Sequence, residues 1–187
     1  MYVCYNQEEP DVDCELINQN EHWDSLPFKP TGCGWKFYPP RLDIEAHEIF
    51  IDNDMILYDT NKVLNYFLSH NNVFFATEPW KRTYGKYDGL VPRNFNINAG
   101  FIGLPPGFDI ASEIRQKGGG WDGWFDEQGL VALILSSKQT LIHPKEEIKI
   151  CVPENGFGLA KCGMHFVGMN SGYNLEIWNN FLASKLL

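Results

Sequence analysis

Apolar and polar positions are most sharply patterned in the middle of the chain. Ile49-Phe50-Ile51 and Met55-Ile56-Leu57-Tyr58 are two apolar runs of strand length, and the polar triplet Asp52-Asn53-Asp54 lies between them. Asn61 to His70 sets Val63, Leu64, Phe67 and Leu68 on one helical face, and Asn72 to Ala76 reads as the next strand. Residues 77 to 93 are loop-like and rich in Gly, Pro, Tyr and Lys. Asn96 to Leu104 then gives an apolar strand interrupted by Asn98-Ala99-Gly100 and ended by Pro105-Pro106-Gly107. Asp109 to Lys117 and Phe125 to Ser136 predict helices on either side of Gly118-Gly119-Gly120. Short strands follow at 140–143 and 147–151, with a further strand near Met164 to Val167 and a terminal helix from Asn174. Upstream, residues 2–5 and Cys14 to Ile17 predict short strands. Trp35 to Ile44 is amphipathic, although Pro39-Pro40 allows only a helix that starts there or a short broken one. Strands and helices interleave without an internal repeat, which predicts one α/β domain over residues 1–187 built on a mixed sheet.

Composition narrows the possible partners. With 44% hydrophobic and 14% aromatic residues, the 187-residue chain has the means to pack a core. A net charge of −9 excludes a nucleic-acid footprint, which needs clustered Lys and Arg. A phosphate-bearing ligand would then have to be held by a metal ion or by backbone amides at a helix start. No apolar run reaches the length of a membrane span, and Met1 to Asn6 lacks the regions of a signal peptide, so the expected location is cytoplasmic. Five cysteines without a Cys-x-x-Cys pair read as reduced, structural thiols.

Asp52 and Asp54 interrupt an otherwise apolar stretch, and two carboxylates one residue apart repel unless a cation sits between them. Taken alone, the triplet reads first as a solvent-exposed turn between two strands of a hairpin, and its context shifts the balance toward a metal. A hard divalent cation such as Mg²⁺ or Mn²⁺ suits carboxylate oxygens and bridges them to phosphates. His165, at the head of His165-Phe166-Val167-Gly168, adds an imidazole that favours manganese, and Gly168 permits a close approach of phosphate or backbone. Asn98-Ala99-Gly100 reads either as a bulge or as a pocket lining, and Asp126-Glu127-Gln128 either as a complement to a helix dipole or as functional acids.

The ordered succession IFIDNDMILYD, NFNINAGFIGL, GWFDEQGLVALIL and HFVG, over residues 47 to 168, resembles the GT-A nucleotide-sugar glycosyltransferases, particularly the glycogenin-like and galactosyltransferase-like enzymes of glycosyltransferase family 8. The resemblance implies a GT-A-like α/β domain with a mixed central sheet flanked by helices. It implies Mn²⁺ (or Mg²⁺) on Asp52, Asp54 and His165, holding the diphosphate of a donor, with a UDP-sugar as the expected donor. It places Asn98, Ala99 and Gly100 in the sugar and acceptor pocket, with Asn53 and Gly168 beside the donor. Asp126, Glu127 and Gln128 become the catalytic group near the transferred sugar. Lys36 and Arg41 resemble the basic residues that precede the Asp-x-Asp motif and approach the donor, while a solvated helix face explains them as well.

The chain departs from the family in two places. It reads Met169-Asn170-Ser171-Gly172-Tyr173-Asn174 where the family continues to Lys-Pro-Trp, and only 51 residues precede Asp52. The expected function is transfer of a sugar from a nucleotide-diphosphate donor to a glycan or other hydroxyl acceptor. Retention of configuration is implied by the resemblance, and an inverting route through Asp126 or Glu127 stays open. The alternative that the departures favour is a non-catalytic nucleotide-sugar- or carbohydrate-binding module on a degenerate GT-A fold. Under either reading Trp80, Trp121 and Trp124 are candidates to stack on sugar rings, with core packing the usual fate of a tryptophan.

Overall fold

The computed structural model of the protein describes residues 2–5, 7–29, 32–152 and 159–167, together with 176, 179 and 180. Gly168, Met169 to Tyr173 and most of the terminal helix expected from Asn174 lie outside the described residues.

The fold is mixed α/β, but among the described residues the strands form three small sheets in place of one central sheet. β1 (Tyr2–Tyr5) and β2 (Glu15–Asn18) pair in parallel on their own. The largest sheet has the order β3-β6-β5-β7 and consists of β3 (Glu48–Ile51), β6 (Asn98–Leu104), β5 (Phe74–Thr77) and β7 (Thr140–His143). β6 runs antiparallel to both of its neighbours, and β5 and β7 are parallel. The third sheet, β4-β9-β8, combines β4 (Met55–Leu57), β9 (Gly163–His165) and β8 (Ile148–Ile150). The two apolar runs around Asp52-Asn53-Asp54 are therefore neither one strand nor a hairpin. β3 belongs to one sheet and β4 to another, and the triplet is the joint between them.

Alternation along the strands of the four-stranded sheet sorts side chains to two cores. Phe50, Phe74, Ala76, Ile102, Leu104 and Ile142 pack with the helices α2 (Ile110–Gln116) and α3 (Asp126–Leu135). Ile49, Phe75, Phe101 and Leu141 pack on the other side with Val63, Leu64 and Phe67 of α1 (Lys62–Leu68). The expected helix starts are confirmed by their caps: Asn61 accepts from Leu64 N and Asp109 from Ser112 N. α3 is apolar nearly all round from Leu130 onward and is buried accordingly, so it carries no amphipathic stripe.

Trp35 to Ile44 differs from the sequence expectation. A 3₁₀ helix covers Gly32–Phe37, and no helix starts at Pro39-Pro40. Arg41 organises the segment that follows. Its guanidinium pairs with Glu48 and donates to the carbonyls of Asp43, Ala46, Pro105 and Phe108, which holds the chain in an irregular loop leading into β3.

Candidate functional site

β6 is where the local geometry of the site originates. Its pairing with β5 slips between Ala76 and Thr77, so Ala76 stands opposite Ile102 while Thr77 stands opposite Asn98. A slip of this kind removes backbone groups from the ladder, and they require other partners. Ala99 N donates to Gln128 Oε1 at 3.2 Å, and Gly100 N donates to Asn98 Oδ1 at 2.8 Å. Asn98 Nδ2 donates to the same Gln128 oxygen at 2.9 Å. Gln128 Nε2 in turn donates to Thr83 O and Thr83 Oγ1, both at 2.9 Å. Both ends of the Gln128 amide are engaged within the protein, tying the loop after β5 to β6.

The opposite side of β6, which pairs with β3, leads into the Asp-x-Asp joint. Asp52 N donates to Gly100 O at 2.8 Å, and Met55 N donates to Asp52 O at 3.1 Å, closing a turn that leaves Asn53 exposed. Phe166 N donates to Asp54 O at 2.8 Å, which brings the end of β9 beneath the turn. His165 Nε2 consequently lies 3.0 Å from Asp54 Oδ1 and 3.7 Å from Asp52 Oδ2. One ligand atom from each of the three residues fits within a 4.8 Å span, and no other such group occurs among the described residues. Gly100 is required by the close packing: a Cβ there would fall 2.2 Å from His165 Cε1.

Lys36 comes from the 3₁₀ helix and enters the same site. Its ammonium lies 2.7 Å from Asp52 Oδ1 and 3.3 Å from Glu127 Oε1, and it donates to Ala99 O at 3.1 Å. Burial works against its charge, but the two carboxylates outweigh burial and raise the pKa above the ordinary lysine value. Glu127 moves upward as well, to about 7, because burial and then the Asp52 charge disfavour its ionised form more than Lys36 favours it.

These groups line an open cleft of ≈ 320 Å³, with Trp80, Lys81, Trp124, Phe125 and Val167 also around it. His165 Nδ1 is buried and makes no hydrogen bond, and buried Asp54 Oδ1 faces the His165 Nε2 3.0 Å away. Two carboxylates and an imidazole with unsatisfied capacity are a donor set that can hold a metal ion.

Not every residue expected at the site reaches it. Glu127, Gln128, Asn98, Ala99, Gly100 and Lys36 line the cleft with the three ligand candidates. Asp126 does not. Its Oδ1 accepts from Lys86 N and its Oδ2 from Asp122 N and Gly123 N, and these amides lower its pKa in spite of burial. Arg41 is spent on the loop carbonyls described above, and Asn53 points to solvent at the turn. Of the candidate stacking rings Trp121 takes the core fate: it is 4% exposed and packs edge-on against Phe28 and Tyr38. Thr83, which anchors Gln128, carried no sequence signal because it lies in the irregular loop between 77 and 93.

No protein-family model, curated protein or solved structure matches this chain. The five cysteines are all unpaired, and burial pushes the Cys151 thiol up to about 11. No described helix is long and apolar enough to cross a membrane.

Proposed function

We propose that the chain is a metal-dependent glycosyltransferase of GT-A type, moving a sugar from a nucleotide-diphosphate donor to an acceptor hydroxyl. The observation that carries this reading is the meeting of Asp52, Asp54 and His165 in a cleft whose remaining polar wall is Glu127, Lys36 and Asn98. Asp52, Asp54 and His165 would hold Mn²⁺ or Mg²⁺, and the bound ion supplies Lewis-acid stabilisation of charge on a departing diphosphate. Lys36 adds a fixed positive charge on the same wall and balances Asp52 and Glu127. Glu127 is the carboxylate placed to take or return a proton of a hydroxyl. Of the two acids open to an inverting route it is the one that faces the cleft, since Asp126 is occupied by three backbone amides. Gln128 and Thr83 hold β6 and the neighbouring loop in register around the sugar position.

Hydrolysis of UDP-sugars in Mn²⁺ against EDTA tests the proposal. Asp54→Ala removes a ligand without touching the backbone contact to Phe166, so metal-dependent turnover should fall by about 100-fold or more with the fold intact. Turnover that persists in Asp54→Ala or in EDTA sinks the reading. The 2.7 Å pair between Lys36 and Asp52 favours a second reading, a binding module that neutralises Asp52 without metal. Metal-independent stabilisation by nucleotide sugars, with no hydrolysis, would select it.

A further inference from the structure

Two tryptophans three residues apart have opposite fates. Trp121 is closed into the core at 4% exposure, whereas Trp124 is 73% exposed, with Phe125 beside it at 46%. Leaving an indole and a phenyl ring in water forgoes the burial that rings of this size ordinarily provide. The segment is nevertheless held firmly. Asp126 Oδ2 accepts from Asp122 N at 3.0 Å and Gly123 N at 2.8 Å, and Phe125 O accepts from Gly129 N at 3.0 Å in the first turn of α3. Trp124 thus projects from a pinned turn, which is the condition for a preorganised contact surface. Trp124 and Phe125 both line the cleft that contains Glu127, two residues further along the same helix start, and Trp80 lines it from the loop after β5.

The polar side of the cleft selects what lies on these rings. Asp52, Asp54 and Glu127 accept hydrogen bonds when ionised and donate none. Glu127 Oε1 is buried, 3.3 Å from the Lys36 ammonium. The cations there are already engaged: Lys36 by Asp52, Glu127 and Ala99 O, and Lys81 by the Trp80 ring, with its ammonium 4.6 Å from the centroid. An acceptor-rich wall facing exposed aromatic rings suits a neutral ligand with many O–H donors and an apolar C–H face. A pyranose ring has both. We infer that Trp124, supported by Phe125, is a stacking platform for a neutral saccharide. Resting on the function proposed above, this makes the acceptor a glycan and assigns its subsite to the aromatic mouth of the cleft.

The test is calorimetric titration of the full chain, in EDTA, with maltotetraose, cellotetraose, mannotetraose and xylotetraose, and separately with uridine. At least one tetrasaccharide should bind without metal. Trp124→Ala should weaken it about tenfold or more, and Trp124→Tyr should keep it within a few-fold. Because the ring is exposed, thermal stability and Mn²⁺-induced stabilisation should be the same in these variants as in the wild type. The inference is overturned if no tetrasaccharide binds at millimolar concentration, if Trp124→Ala binds as the wild type does, or if Trp124→Ala weakens uridine instead of the saccharide. Saccharide binding that depends on Trp124 in a protein without metal-dependent turnover would retain the platform and discard the transferase. Turnover in Mn²⁺ with no role for Trp124 would do the reverse.

Discussion

His143 and His165 each end a short strand, and each is almost out of water, at 1% and 3% exposure. Each also keeps one ring nitrogen without a hydrogen bond, Nε2 in His143 and Nδ1 in His165. Their surroundings differ. His143 lies between the rings of Phe75 and Phe101, with Asn61 Nδ2 2.6 Å from its Nδ1 and Glu147 at 4.0 Å. Beside it is a void of ≈ 10 Å³, room for about one water molecule. His165 faces two carboxylates and opens onto the large cleft. A buried histidine is thus structural or functional according to what its ring faces, and burial alone does not separate the two.

The largest expected effect comes from exchanging the two rings for methyl groups. His143→Ala leaves a cavity and strips Asn61 of a partner, so urea denaturation should register a loss of roughly 2–4 kcal/mol, while stabilisation by Mn²⁺ survives. His165→Ala should behave in the opposite way, with metal-free stability within about 1 kcal/mol of the parent and most of the Mn²⁺-induced shift gone. Equal losses of stability in both variants would erase the distinction.

Acid offers a smaller and more selective test. Burial holds the His143 pKa down to about 4 from an ordinary 6.5, so between these values the unfolded chain binds a proton that the folded chain does not. The contribution of His143 is complete above pH 6.5 and is lost as the pH falls toward 4, by up to about 3 kcal/mol. His143→Leu should flatten that part of a stability-against-pH curve, and a curve unchanged by the substitution would contradict the assignment.

Smaller again is Gly100→Ala. The added methyl must displace the His165 ring, at a cost of about 1–3 kcal/mol, and the Mn²⁺ shift should shrink with it. Retention of both the wild-type stability and the full shift would mean that the ring moves freely, against the close packing described here.

Local signals made much of this legible. α1 was readable because Asn61 caps a run whose apolar residues keep one face, and the Asp52, Asp54 and His165 group was readable as a set of residue types in a fixed order. The division into three sheets was not. β3 pairs with β6 and β4 with β9, and nothing near residues 48 to 57 specifies partners so distant in the chain. Lys36 and Arg41 look equivalent on paper, yet one enters the cleft and the other is enclosed by carbonyls, because each destination is built by chain more than sixty residues away. Asp126, Glu127 and Gln128 read as one motif. Successive helix residues diverge by about 100°, so one caps its own turn, one meets Lys36 and one secures β6.

The turn at Asp52 has a mechanical consequence. Asp52 is fastened to the four-stranded sheet through Gly100, while Asp54 and His165 are fastened to the three-stranded one through Phe166 N and the ladder of β9. A cation shared by all three would act as a rivet between the two sheets, adding to the packing of Phe75 and Phe101 against Met55, Leu57 and Ile148 that already joins them. Its binding should therefore slow amide exchange in both sheets together.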